Sequence, residues 1–203
     1  MTDYFALLGQ PRRPWLEADA LKGKFYELSA SVHPDRVHNL EAPAREQAGT
    51  RYVEINAAYQ CLGNPKSRLA HLLLLEAGSK PGDLRTLPED VVQLFGEVGA
   101  VLRETNALIA EKAQAASAIL RVGLLEKAMP QLENISRLQA DIQSRLAGMT
   151  DELRALDRDW ENSLADPARR AAALMSLEKL YHLLGFYERW ARQLQERSFQ
   201  LTV

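Results

Sequence analysis

Apolar residues recur every three to four positions along almost the whole chain and rarely alternate with polar ones, so the pattern predicts an all-α protein. Leu21, Phe25, Leu28 and Val32 form one stripe of an amphipathic helix, which His33-Pro34-Asp35 interrupts. A partner helix is predicted to begin near Pro43, with Tyr52, Ile55, Ala58, Tyr59 and Leu62 on one side. Gly78-Ser79-Lys80-Pro81-Gly82 is the strongest breaker cluster and sets the expected boundary. We therefore expect a first domain over 1–77, a linker over 78–87 and a second helical domain over 88–203. In the second domain, apolar residues at 91, 94, 95, 98, 101, 102, 105, 108 and 109 predict a long helix starting near Pro88-Glu89-Asp90, where proline and acids suit a first turn. Met129-Pro130 predicts a kink or a chain reversal. Leu132, Ile135, Gln139, Ile142, Leu146, Met149, Leu153, Leu156 and Trp160 then form a heptad seam, and Asp166-Pro167 reads as the cap and first residue of a last helix. Short connections make these neighbours an antiparallel three-helix bundle with long helices.

Composition narrows the function classes. The 203 residues are 46% hydrophobic and 26% charged, enough to build a packed core, and the formal charge of −2 gives no basic field to draw in nucleic acid or an anionic membrane. The longest apolar run, Leu72 to Leu75, is far too short to span a bilayer. The N-terminus shows neither a basic-then-apolar leader nor an Arg-rich transit pattern, and Cys61 stands alone, so a reducing cytoplasmic location is expected. A single cysteine cannot form an internal disulfide, a CxxC pair or a thiolate-rich metal site. We expect no cofactor and no metal.

The one feature foreign to a plain bundle is His33-Pro34-Asp35. Pro34 cannot continue the preceding helix, biases His33 towards extended backbone, and leaves His33 and Asp35 at a loop where their polar groups can meet a partner. Two antiparallel helices would hold that turn rigidly at their shared end. His38, His71 and His182 lack the spacing of metal ligands, with His71 read as a core or rim residue, and the glycines at 96 and 99 have no phosphate-loop context. His33 with Asp35 could imitate a catalytic dyad, yet the sequence offers no nucleophile beside it, and Cys61 falls on an apolar helix face.

These residues resemble the J-domain co-chaperones of the HscB type. Asp3-Tyr4-Phe5 with Leu7, Gly9 and Pro11 is similar to the family's opening signature. Leu16 through Phe25 and Leu28 into His33-Pro34-Asp35-Arg36 is similar to its second helix and loop, and Ile55-Asn56-Ala57-Ala58-Tyr59 with Leu62 to its third helix. Pro65, Arg68, Ala70, Leu72 and Leu73 are similar to its fourth. The resemblance implies an N-terminal J-domain helical hairpin and a co-chaperone, not an enzyme. Such a protein docks on a DnaK/HscA-class ATPase through His33, Pro34 and Asp35, with Lys22, Lys24 and Arg36 adding attraction. The chain departs from the family at Ser29, Ala30, Ser31 and Val32, where long polar side chains and a tyrosine are usual.

For the second domain the resemblance implies a client face for the iron–sulfur scaffold protein IscU, placed here on Leu94, Phe95, Val98 and His182. Gly99 and Leu102 stand where the family carries acids, with only Glu97 and Glu104 nearby. Three other readings stay open. Leu94, Phe95 and Val98 read more readily as ordinary bundle core, the client could be a different protein, and the whole chain could be a helical scaffold whose J-like domain engages no chaperone.

Overall fold

The computed structural model describes residues 2–39, 41–82, 84, 86–115 and 117–202; within them the side chains of 34, 37 and 118–121 lie outside the description. Helices are α1 (Tyr4–Leu7), α2 (Ala18–Val32), α3 (Pro34–Val37), α4 (Ala42–Gly63), α5 (Pro65–Ala77), α6 (Glu89–Gln114), α7 (Ala118–Ser163) and α8 (Pro167–Thr202). No strand occurs among the described residues, and the fold is all-α as the periodicity predicts. The chain forms two compact units, each drawn from separate stretches of sequence: 1–82 with 151–181, and 83–150 with 182–203.

In the first unit, local caps fix each turn. Asp3 accepts from the amides of Phe5 and Ala6 to start α1, and Asn64 accepts from Ser67 N at 2.8 Å to start α5 behind Pro65. Gly78 ends α5 in the left-handed region at φ 71°, where a side chain would be strained. Phe5, Leu8, Ile55, Ala58, Leu62, Leu69 and Leu72 are buried together with Leu153, Trp160 and Leu177 from α7 and α8.

The segment between α1 and α2 is held by polar groups as well as by packing. Asp157, buried in α7, accepts a two-pronged bond from the Arg13 guanidinium and a third from Trp15 N at 3.0 Å. Trp160 donates from Nε1 to the Arg12 carbonyl at 2.8 Å, while the Arg170 guanidinium lies 3.5 Å over its ring and pairs with Glu76 at 2.6 Å. Arg68 is almost wholly buried and donates to the carbonyls of Pro14 at 2.9 Å and Leu62 at 2.7 Å. Burial brings its pKa down to about 10, with Asp157 acting in the opposite sense.

His71 is the titratable member of this core. Its Nε2 accepts from Tyr4 N at 3.0 Å, so the neutral ring carries its proton on Nδ1, and Phe5 stacks on it at 5.7 Å. Burial holds the imidazole below its usual range; Asp3 pulls the other way and Arg12 adds to the depression. Below about pH 6.5 the unfolded chain takes up a proton that the folded ring refuses, so this contribution to stability is present above that pH and lost as the pH falls. Denaturant melts at pH 7.5 and 5.5 should show the loss, and His71→Gln, whose amide oxygen can still accept from Tyr4 N, should reduce it; an unchanged slope would refute the assignment.

The second unit is an up-down-up bundle of α6, the first part of α7 and the last part of α8. Polar pairs fix the antiparallel register of α6 and α7. Asp90 meets Arg145 at 2.5 Å, Glu97 meets Arg137 at 3.0 Å, Glu104 accepts from Gln131 at 2.6 Å, and Glu111 meets Lys127 at 2.9 Å. At one end Lys112 donates to the Leu201 carbonyl at 2.9 Å and so caps α8 from a neighbouring helix. Val91, Leu94, Val98 and Val101 of α6 are buried with Ile135, Leu138 and Ile142 of α7 and Leu184, Tyr187 and Leu194 of α8.

Two sequence expectations change. The chain does not reverse at Met129-Pro130: α7 runs through Pro130, and the break falls between Gln114 and Ala118. Pro130 and Glu126 are both exposed, so the carbonyl that loses its amide partner can turn to water. The turn after α2 is no open loop either, because Pro34, with φ already near the helical value, opens the one-turn helix α3.

Candidate functional site

The His33–Asp35 turn sits where α2 ends and the one-turn helix α3 begins, ahead of α4. α2 and α4 are antiparallel, since Phe25 stacks on Tyr59 at 4.2 Å while His33 meets Tyr52 edge-on at 5.7 Å, one pair at each end of the contact. The backbone of His33 leaves the helix at φ −60° and ψ 136°, the extended geometry that a following proline imposes. His33 closes α2 and caps α3 at once: its Nδ1 accepts from Asp35 N at 3.2 Å. Capping is thus part of the geometry. It leaves Nε2 without a role in the cap, and the Asp35 side chain is 91% exposed. Two hydrogen-bonding groups are therefore presented from a turn whose backbone is fixed by a proline, a cap and an aromatic contact.

An open cleft adjoins the turn, lined by Phe25, Tyr26 and Tyr52, by His33, Asp35 and Arg36, and by the small residues Ser29 and Ala30. Ser29 and Ala30 create the space, because longer side chains there would fill it. Sequence reading singled out the turn but not the cleft; its signal was the run of small residues just before His33.

The residues expected to meet a chaperone have different surroundings. Lys22 and Arg36 are exposed, with the Lys22 ammonium 5.9 Å from the Tyr26 ring centre. Lys24 is paired to Glu27 at 2.8 Å, which offsets its charge locally. The side chain of Pro34 lies outside the described residues.

The expected client residues divide by burial. Leu94 and Val98 are core residues, 3% and 1% exposed, so the core reading holds for both. Phe95 points outward, 61% exposed, and contacts the Trp190 ring at 6.1 Å, which in turn stacks on Phe186 at 5.8 Å. His182 is half-buried on α8. Phe186 and Trp190 were not anticipated, because only the packing of α8 against α6 brings them to Phe95. Among the described residues no cluster of His, Cys, Asp and Glu could hold a metal ion, and no helix is long and apolar enough to cross a membrane. Cys61 is half-buried, with burial pushing its thiol pKa up, which argues against a nucleophile there.

Residues 3–71 match the family described as DnaJ domain. The chain is 38% identical over 74 residues to the co-chaperone protein HscB of Proteus mirabilis (strain HI4320), an alignment that spans 36% of this chain and 43% of that one. It is 29% identical over 183 residues to the co-chaperone protein HscB homolog of Azoarcus sp. (strain BH72), spanning 89% of this chain and 90% of the relative. Among solved structures, chaperone HscB from Vibrio cholerae matches with a TM-score of 0.53 at 22% identity, covering 95% of this chain and 99% of that one. Human co-chaperone protein HscB matches with a TM-score of 0.57 at 17% identity, covering 93% and 81%. At those identities the two structures share the fold.

Proposed function

This chain is a J-domain protein homologous to the HscB co-chaperones, and we propose that it docks on a DnaK/HscA-class ATPase, stimulates its ATP hydrolysis and delivers the scaffold IscU for iron–sulfur cluster assembly. The observation that carries the reading is the His33-Pro34-Asp35 turn, held in fixed geometry between two antiparallel helices within the region that matches the DnaJ domain. In this reading residues 1–77 contact the chaperone, 78–87 link, and the client is held within 88–203, on the part outside 151–181, which packs with the first unit.

His33 and Asp35 offer hydrogen bonds, and Pro34 fixes the turn that presents them. Lys22 and Arg36 attract an acidic surface; Lys24, held by Glu27, contributes less. The association rate should therefore fall with salt, but gently, since few charges act. The chain performs no chemistry itself: the bond broken is in ATP on the partner, and docking shifts the partner towards its hydrolytic state. On the client side, Phe95 supported by Trp190 and Phe186 offers apolar contact, while Leu94 and Val98 hold the helix beneath it.

Single-turnover ATP hydrolysis by the chaperone, measured with this chain alone and with added IscU, tests both halves. Stimulation by the chain that rises further with IscU is the expected result. Stimulation indifferent to IscU would leave a J-domain protein with another client, a reading favoured by Gly99 and Leu102 standing where the family carries acids. No stimulation with any chaperone of this class would overturn the proposal in favour of a helical scaffold.

A further inference from the structure

The rigid turn accounts for His33 and Asp35 and leaves the cleft beside it without a use. Phe25, Tyr26, Ser29, Ala30 and His33 line it from one side of α2, over two helical turns or about 12 Å, and Tyr52 completes it from α4. The rings are held in place. Phe25 stacks on Tyr59 at 4.2 Å and lies 5.5 Å from Tyr26, while Tyr52 meets His33 edge-on at 5.7 Å. The cleft is therefore preformed.

Its small residues do nothing for the fold. Ser29 is 8% exposed, and its hydroxyl oxygen is buried with no hydrogen-bond partner among the described residues. A buried hydroxyl left unpaired destabilises a protein, and alanine at 29 would remove that penalty. Ala30 beside it is exposed, so nothing in the protein limits its size. A leucine there would lie against the rings and fill the space. Both positions are among those at which the chain departs from the HscB type, so the space is this chain's own.

We propose that the cleft takes one uncharged, apolar side chain of the chaperone, and that the small residues at 29 and 30 select a partner carrying it. This rests on the docking reading above and adds a contact to it. The occupant belongs to the chaperone because His33, Asp35 and Arg36 line the cleft and also form the docking turn: a partner seated on the turn covers both. It is apolar because the rings of Phe25, Tyr26 and Tyr52 and the methyl of Ala30 are the surfaces it meets, and a desolvated, ring-lined recess is where an interface gains most from one side chain. It is uncharged because Asp35 and Arg36 offset one another and the Lys22 ammonium already lies 5.9 Å from the Tyr26 ring centre. The Ser29 hydroxyl has lost its water in the free protein, so an apolar group covering it adds no desolvation.

Single-turnover ATP hydrolysis by a DnaK/HscA-class chaperone, titrated with the full chain and its variants, gives a half-maximal concentration and a plateau. Ala30→Leu should raise the half-maximal concentration about tenfold and keep the plateau, because the turn is unaltered. Its melting temperature should stay within about 2 °C, since leucine suits an exposed helical site nearly as well as alanine. Tyr26→Ala should weaken docking in the same way, and Tyr26→Phe, which keeps the ring, should not. An unchanged half-maximal concentration in Ala30→Leu would overturn the inference. So would a fallen plateau at unchanged half-maximal concentration, which would place the effect in the turn, and a loss that fades with added salt, which would make the occupant a charged group. Stimulation by the unaltered chain that is lost in His33→Gln but kept in Ala30→Leu would leave the docking reading standing without the cleft. No stimulation by the unaltered chain would remove both.

Discussion

His33→Gln should reduce chaperone stimulation to the basal rate while leaving the protein folded. The imidazole has no core volume to lose: it rests against the edge of Tyr52, its side chain 44% exposed, and its internal bond is the cap from Asp35 N. Weakening that cap costs about 1 kcal/mol at most, well within what a folded domain tolerates. The contact presented to a partner is another matter, because a flexible glutamine side chain has no ring to rest against Tyr52 and so does not hold its terminal group in the fixed direction of Nε2. A tenfold loss of stimulation corresponds to about 1.4 kcal/mol of coupling, and one directed hydrogen bond at a docked, water-excluded turn is enough to supply it. Single-turnover hydrolysis with a parallel melt gives both numbers; full stimulation by the variant would refute the role of the turn.

Trp160→Ala should have the largest effect on stability, a loss of about 3–5 kcal/mol. The side chain is among the largest fully buried ones, it donates to the Arg12 carbonyl, and it is the platform on which Arg170 lies. Removing it opens a cavity, strands a carbonyl and frees a guanidinium that remains tied to Glu76. For a chain of this size the melting temperature should fall by about 6–20 °C. Trp160→Phe retains much of the volume and loses the hydrogen bond, so it should cost nearer 1–2 kcal/mol. A loss below 1 kcal/mol for the alanine variant, measured by denaturant titration, would show that the segment before α2 does not depend on α7.

Much of this architecture is legible from local pattern. Pro65, Pro88 and Asp166-Pro167 mark helix starts because a proline's fixed φ and missing amide suit a first turn, and Gly78 ends α5 for the complementary reason. The same residue type misleads at 34 and 130. Proline reads as a breaker, yet Pro34 opens a one-turn helix and Pro130 is carried inside α7 on its wet side. Asp157 could not have been foreseen. An acid beside the seam looks like a surface residue, and its partners Arg13 and Trp15 lie more than 140 positions earlier. The candidate turn was readable because three adjacent residues carry it, and the cleft beside it was not, because its walls come from two helices. At the client face, spacing alone could not separate Leu94 and Val98, which point in, from Phe95, which points out.

That Trp160 and Leu177 complete a core begun by Phe5 and Leu8 has a consequence for biogenesis. The N-terminal helices leave the ribosome about 100 residues before the tryptophan that covers them, an interval of roughly 5–20 s at ordinary elongation rates. Until then the apolar floor beneath the Arg12-Arg13 segment is open to water, and the nascent chain passes through a stage in which it exposes the kind of apolar surface that makes folding intermediates prone to aggregate.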